Sequence, residues 1–377
     1  MFRKKVSIFL VLMLVGCQSE KDPCEQGSVG TGSLGVSGLT SSSSDRPVFE
    51  SDSVTFNHFF KPVRTVYLSE DVLVGDVSSL DVNSEGGLLI TDLRGNQVLL
   101  FDKTGRYLKT LSVEACHPGF NWNPIRAKFK PDGSIQITNN GPWGYRFSRD
   151  GDCVGGMDDG FRLPFHFDFD GEGNIYGFYR RPDGYFIRKM NPMGRETSTF
   201  AQDGRFKNFV VRMRVGGLAH DRQGFVYLAL PHSPYVYKYD EHGNCLGALG
   251  QKPAYFRSLA EDIGDFTGNT GKIAEALFDK LEEISITLHL FLLDKDKLLI
   301  MYENQYKYRQ KPDEEIGIVV MDLEGHSLMT IEMDKRAWFL LAKEGYVYRV
   351  VQPPPDQQGN VPNPALEVSQ FIPAETY

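Results

Sequence analysis

Residues 79–111 read SLDVNSEGGLLITDLRGNQVLLFDKTGRYLKTL, and residues 217–249 read GLAHDRQGFVYLALPHSPYVYKYDEHGNCLGAL. Set side by side without a gap, Gly86 falls on Gly224, Phe101 on Tyr239, Asp102 on Asp240, Gly105 on Gly243, Leu108 on Leu246 and Leu111 on Leu249, all at an offset of 138. Both stretches share one grammar. A short apolar strand ends in a polar turn with glycine. A second strand follows (LLITD, VYLAL), then a loop, then a third strand closing on an aromatic residue and aspartate (VLLFD, YVYKYD). A further glycine turn leads into a fourth strand. Alternating apolar residues suit half-buried strands, and glycine admits the positive φ of tight hairpins. Four antiparallel strands per repeat is the pattern of a propeller blade.

Weaker copies fill the chain between and beyond these two. They run over 129–157, 167–196 and 290–331, and WFLLAKEGYVYRVVQ at 338–352 opens a last unit that takes a third strand from ALEVSQF at 365–371. That unit has no fourth strand of its own. KPVRTVYLS at 61–69 precedes the first repeat and is expected to fill the vacancy, joining the two ends of the chain in one blade and removing free sheet edges. The expectation is an all-β fold, a six-bladed β-propeller over 46–377. The repeats resemble NHL-like and TolB-like propellers, and the whole resembles the six-bladed propeller lipoproteins of Bacteroidetes. That resemblance implies shape and location more than activity.

The N-terminus carries the location. Arg3, Lys4 and Lys5 precede an apolar run from Val6 to Val15. A bilayer core takes roughly 20 helical residues, so the run is too short to span and has the length of a signal-peptide core. Leu14-Val15-Gly16-Cys17 resembles the lipobox of bacterial lipoproteins. The resemblance implies a signal peptide over 1–16, cleavage before Cys17, and acylation of Cys17 as the first mature residue. Gln18, in place of aspartate, points by the same analogy to the outer membrane. The Gly- and Ser-dominated segment that follows cannot bury enough surface to order itself, so 17–45 is expected to be a lipidated flexible tether.

The full chain carries 41 basic and 49 acidic residues, a net charge of −8, and loss of the three leader cations takes this to −11. Such a charge argues against nucleic acid as a partner. Aromatics make up 12% of the chain, beside 38 glycines and 20 prolines, which suits strands and turns. Apart from Cys17 there are Cys24, Cys116, Cys153 and Cys245. In an exported protein they can pair in three ways, and the spacing does not choose among them. With no CxxC, haem or zinc spacing, structural cysteines are expected rather than a catalytic thiol. One segment departs from the strand pattern: GKIAEALFDKLEEI, with Ile273, Ala276, Leu277, Leu281 and Ile284 at helical spacing, reads as a short inserted amphipathic helix.

In a propeller, the loops between blades and those between second and third strands emerge on one face. This places Arg94, Trp122, Trp143, Arg180, Arg181, His232 and Tyr306 on that face as candidate ligand-binding residues, with His117, Arg162, His166 and Tyr235 nearby. Arginine pairs with carboxylate, sulfate or phosphate, and aromatic rings stack on sugars. The expected role is therefore binding of an anionic glycan, a peptide or an envelope protein. The alternative is a metal-dependent hydrolase of the lactonase or esterase type, or a lyase, at the channel mouth. The acidic residues sit mainly in Gly-containing turns, as in Asp132-Gly133 and Asp150-Gly151, where turn geometry accounts for them. No histidine pair has ligand spacing, there is no GxSxG elbow, and GEGNIYG lies in a hairpin rather than at a strand-to-helix turn. No cofactor, catalytic residue or metal ligand is expected.

Overall fold

The computed structural model describes Cys24 and most of the chain from Phe56 to Pro373, with gaps at 141–143, 158–165, 182–183, 204–215, 222, 232, 254–255, 257–284, 305–314 and 335–338. Six four-stranded antiparallel sheets form a six-bladed β-propeller. After a single helical turn, α1 (Phe56–Phe59), comes β1 (Phe60–Tyr67). Blade one is β2 (Val77–Val82), β3 (Leu88–Asp92), β4 (Gln97–Phe101) and β5 (Tyr107–Leu111). Blade two is β6 (Pro124–Phe129), β7 (Ile135–Asn139), β8 (Gly144–Phe147) and β9 (Cys153–Gly156). Blade three is β10 (His166–Phe169), β11 (Ile175–Arg181), β12 (Gly184–Met190) and β13 (Glu196–Asp203). Blade four is β14 (Gly217–His220), β15 (Val226–Ala229), β16 (Val236–Tyr239) and β17 (Cys245–Leu249). Blade five is β18 (Ser285–Asp294), β19 (Lys297–Asn304), β20 (Glu315–Asp322) and β21 (Ser327–Asp334). Blade six is β22 (Phe339–Lys343), β23 (Tyr346–Val351) and β24 (Ala365–Phe371), and its outer position is taken by β1.

The ring closes as the sequence pattern predicts. β1 pairs antiparallel with β24, from Phe60 opposite Phe371 to Tyr67 opposite Ala365. The apolar core lies between neighbouring blades. Leu89, Val98 and Leu111 of blade one meet Ala127, Ile135, Ile137 and Tyr145 of blade two. Leu88, Ile90 and Leu99 meet Leu341, Leu366 and Val368 of blade six. Both faces of each middle strand are covered, which is why LLITD is buried at every position. The segment 272–284 lies outside the described residues.

The repeated aspartate–glycine motif has a geometric cause. Asp102 Oδ1 accepts the backbone N–H groups of Thr104 and Arg106, and Asp240 Oδ1 those of His242 and Asn244. Asp170, Asp322 and Asp356 make the same pair of bonds in their own hairpins. The residue three after the aspartate must then take a positive φ, and glycine stands there: φ is 88° at Gly105 and 85° at Gly243. The turns differ in what surrounds them. A Cβ on Gly105 would lie 2.1 Å from the Tyr67 carbonyl oxygen, whereas one on Gly224 (φ 94°) would meet nothing within 4 Å. Gly224→Ala is therefore expected to cost about 1–2 kcal/mol of left-handed strain. Gly105→Ala adds a steric clash, for a total of about 3–4 kcal/mol. Urea unfolding of the two variants checks the difference, and equal losses would refute it.

The four body and tether cysteines pair as Cys24–Cys245 and Cys116–Cys153. The second ties the loop after blade one to the outer strand of blade two.

Candidate functional site

The six innermost strands, β2, β6, β10, β14, β18 and β22, line the central channel. Four of them carry a register shift at the end nearest the inter-blade loops: between Val77 and Ser79, Pro124 and Arg126, Thr287 and His289, and Phe339 and Leu341. A bulge there re-aims the side chains that follow it. Below the bulges lies a cavity of about 40 Å³ lined by Leu80, Arg126, Lys128, His166, His289 and Leu341, among others.

Three groups converge in this cavity. Arg126 Nη1 lies 3.0 Å from His166 Nδ1. A guanidinium only donates, so Nδ1 of His166 accepts and the ring proton of the neutral imidazole sits on Nε2. His166 and His289 meet edge to face with centroids 5.7 Å apart, and His289 stacks on Phe291. Burial pushes the Arg126 pKa down to about 10 against the pull of Asp168 and Asp81, so the group stays charged at neutral pH. Burial, and then the Arg126 charge, push His289 down to about 3, so it is neutral there.

Further along the channel, charged groups link neighbouring blades. Lys343 of blade six donates to Asp81 Oδ1 of blade one at 2.9 Å and to the Val82 carbonyl at 2.6 Å. Asp81 Oδ2 accepts the Phe129 N–H of blade two at 2.8 Å. Lys128 of blade two donates to Asp168 Oδ1 of blade three at 2.6 Å, and Asp168 Oδ2 accepts the His220 N–H of blade four at 3.1 Å. Burial opposes the Asp168 charge, but Lys128 and the His220 N–H outweigh it and hold the carboxyl below its ordinary range. Burial likewise opposes the Lys343 charge, and Asp81 outweighs it, holding the ammonium above its ordinary value. Both carboxylates are thus committed to lysines and backbone donors. Among the described residues, the charged side chains lining the cavity are Arg126 and Lys128, both cations.

The residues expected from sequence are dispersed around this site. Arg94 is exposed in the β3–β4 loop, its N–H donating to Asp92 Oδ1. Trp122 is half-buried and packs edge to face on Tyr145 and against Phe147, with its indole nitrogen buried and without a hydrogen-bond partner. Arg180 and Arg181 end β11. Trp143, His232, Tyr306, Arg162 and Cys17 lie outside the described residues. His117 bonds the Tyr145 hydroxyl at 2.8 Å. His166, expected in an inter-blade loop, opens β10 and reaches the cavity. Sequence reasoning missed Arg126, His289, Lys128 and Asp168. The available signal was a charged or imidazole side chain in the first strand of a blade, where the neighbouring positions are apolar.

Among the described residues, one set has metal-ligand character: Asp322, Glu324 and His326, on the exposed hairpin between β20 and β21. Asp322 there accepts the two turn N–H groups and the His326 ring nitrogen, as turn geometry requires. No helix among the described residues is long and apolar enough to cross a membrane.

No family model matches the sequence, and no curated protein matches it. Solved structures do match. A member of the DUF4221 family from Bacteroides vulgatus aligns at a TM-score of 0.57 with 11% identity, over 84% of this chain and 98% of that one. A Bacteroides fragilis protein described as exported aligns at 0.57 with 12% identity, over 86% of this chain and 98% of that one. Virginiamycin B lyase from Staphylococcus aureus aligns at 0.44 with 9% identity, over 83% and 100%. What this chain shares with the two Bacteroides proteins is the fold.

Proposed function

We propose that this propeller is an extracytoplasmic binding module, tethered to the outer membrane through Cys17, that takes the acidic group of a saccharide or peptide into its channel mouth. The observation that carries the reading is the Arg126–His166–His289 cluster in a cavity whose charged lining residues, Arg126 and Lys128, are both cations. A cavity of about 40 Å³ holds roughly three waters, which suits one carboxylate or sulfate group and not a whole sugar ring or residue. The rest of the ligand would then lie on the loop face, where Arg94 is exposed. The resemblance to exported propeller lipoproteins supports the location. The hydrolase or lyase alternative would need open ligand positions in the channel, and the two described channel carboxylates are already taken by Lys343 and Lys128.

Titration calorimetry with galacturonate oligomers, a glutamate-rich peptide and their uncharged counterparts tests this. Binding is expected for an acidic probe and not for its neutral analogue. Arg126→Met should weaken it by about 10- to 100-fold, the worth of a charge-assisted hydrogen bond. Unchanged affinity in Arg126→Met would remove the channel from the reading. Unchanged affinity on replacing Arg180 and Arg181 together would remove that part of the loop face.

A further inference from the structure

The attachment of the N-terminal segment to the propeller is not where chain order puts it. The body begins at α1, whose Phe56 stacks on Phe60 in blade six. By chain order alone, an anchor at Cys17 would pull on blade six through 39 residues, a leash of up to about 135 Å at roughly 3.5 Å per residue. But Cys24 is bonded to Cys245, with Cα atoms 5.0 Å apart, and packs beside the cluster that holds Tyr237 and Tyr239. Cys245 opens β17, the outermost strand of blade four. The residues between Cys24 and Phe56 are thereby closed into a loop fixed at both ends, and the path from Cys17 to the propeller shrinks to seven residues, about 25 Å when extended.

We propose that the Cys24–Cys245 bond is the mechanical attachment of this propeller to its membrane, and that the outer edge of blade four is the surface held against the lipid. The proposal rests on the reading of Cys17 as the anchor. Blade four is opposite blade one in a ring of six, so blade one is the membrane-distal blade. The exposed Leu246 follows Cys245 on the edge that faces the bilayer. The channel mouth opens on a face of the ring and not on its rim, so a rim attachment leaves it clear for a ligand. A flexible tether of 29 residues, as the composition of 17–45 suggests, would impose no such orientation.

The test cuts the loop. A protease site is placed between residues 35 and 36 of the full chain, which is then isolated on membranes. After cleavage without reductant, the body is expected to sediment with the membranes, and dithiothreitol is expected to release it. Cys245→Ser should release it on cleavage alone. The comparison with and without reductant on the otherwise unaltered chain needs no cysteine substitution, so a misfolded variant does not decide the result. Release of the body on cleavage without reductant would overturn the proposal while leaving the anchor intact. A chain that fails to sediment before cleavage would overturn the anchor reading and the membrane-facing blade with it. Non-reducing electrophoresis of the same cleaved chain reads the cross-link separately.

Discussion

Asp81→Leu is expected to lower folding stability by about 4 kcal/mol. The Asp81 side chain is 1% exposed, and three donors converge on it: Lys343, the Phe129 N–H and the Val82 N–H. Removing the carboxylate leaves a half-buried ammonium without its counter-charge and a strand N–H without its acceptor, and each is costly. The effect reaches three blades, because Asp81 joins blade one to blades six and two. Asp81→Asn keeps an acceptor and loses the charge, so its cost should be smaller, about 2 kcal/mol. Pairing Asp81→Leu with Lys343→Met should recover much of the loss, because the uncompensated charge goes with the lysine. Urea unfolding of the wild type, Asp81→Leu, Lys343→Met and the double variant gives the coupling, and additive losses would show that the pair does not act as a unit.

The second large effect is a loss of stability in mild acid. The folded pKa of His289 is pushed to about 3 from an ordinary 6.5, by burial first and then by Arg126. Between those values the unfolded chain binds a proton that the native state does not. The contribution is fully present above about pH 6.5 and is lost as the pH falls toward 3. Each full pH unit inside that window costs a little over 1 kcal/mol, so moving from about pH 6.5 to about pH 4.5 should cost about 2 kcal/mol from this residue. Asp168, whose carboxyl is held below its ordinary value of 3.8, loses its contribution only as the pH falls from about that value, below the span from about pH 6.5 to about pH 4.5. Among the described residues, the groups facing His289 include Arg126 and His166, with Phe291 beneath the ring. His289→Gln should flatten the acid limb of a stability-against-pH curve. An unchanged limb would mean that the imidazole charges inside the channel without penalty. The same measurement bears on function, because a protonated His289 would add a positive charge to the cavity and favour an acidic ligand.

The blade repeat was legible in sequence because hairpin chemistry is local. Asp102, Gly105 and their counterparts Asp240 and Gly243 satisfy one another within five residues, so the motif survives in the linear chain whatever surrounds it. The alternation of apolar residues in LLITD and VYLAL is equally local, and with the vacancy in the last unit it was enough to predict six blades and the closing role of β1. The structure confirms both. The channel site was not legible, because its members come from different blades: Arg126 from β6, His166 from β10 and His289 from β18. Nothing within any one strand marks them as neighbours, and the bulges beside Arg126 and His289 depend on how each strand pairs. The loops drew attention because they are rich in arginine and aromatic residues, yet Trp122 spends its ring on packing against Tyr145.

The cysteines show the same division. Their number and the leader made pairing reasonable, but three connectivities fitted the spacing equally well. Only the folded ring brings residue 24 to the outer strand of blade four, across 221 residues of chain. The sequence alone determined the fold class and the blade count, because hairpin motifs lie within hydrogen-bonding reach along the chain, and the closure, because the last unit lacks a strand that the N-terminal one supplies. The tertiary structure alone decided which charged groups share the channel and which blade the N-terminal segment holds, because both are set by where distant strands lie once the ring has closed.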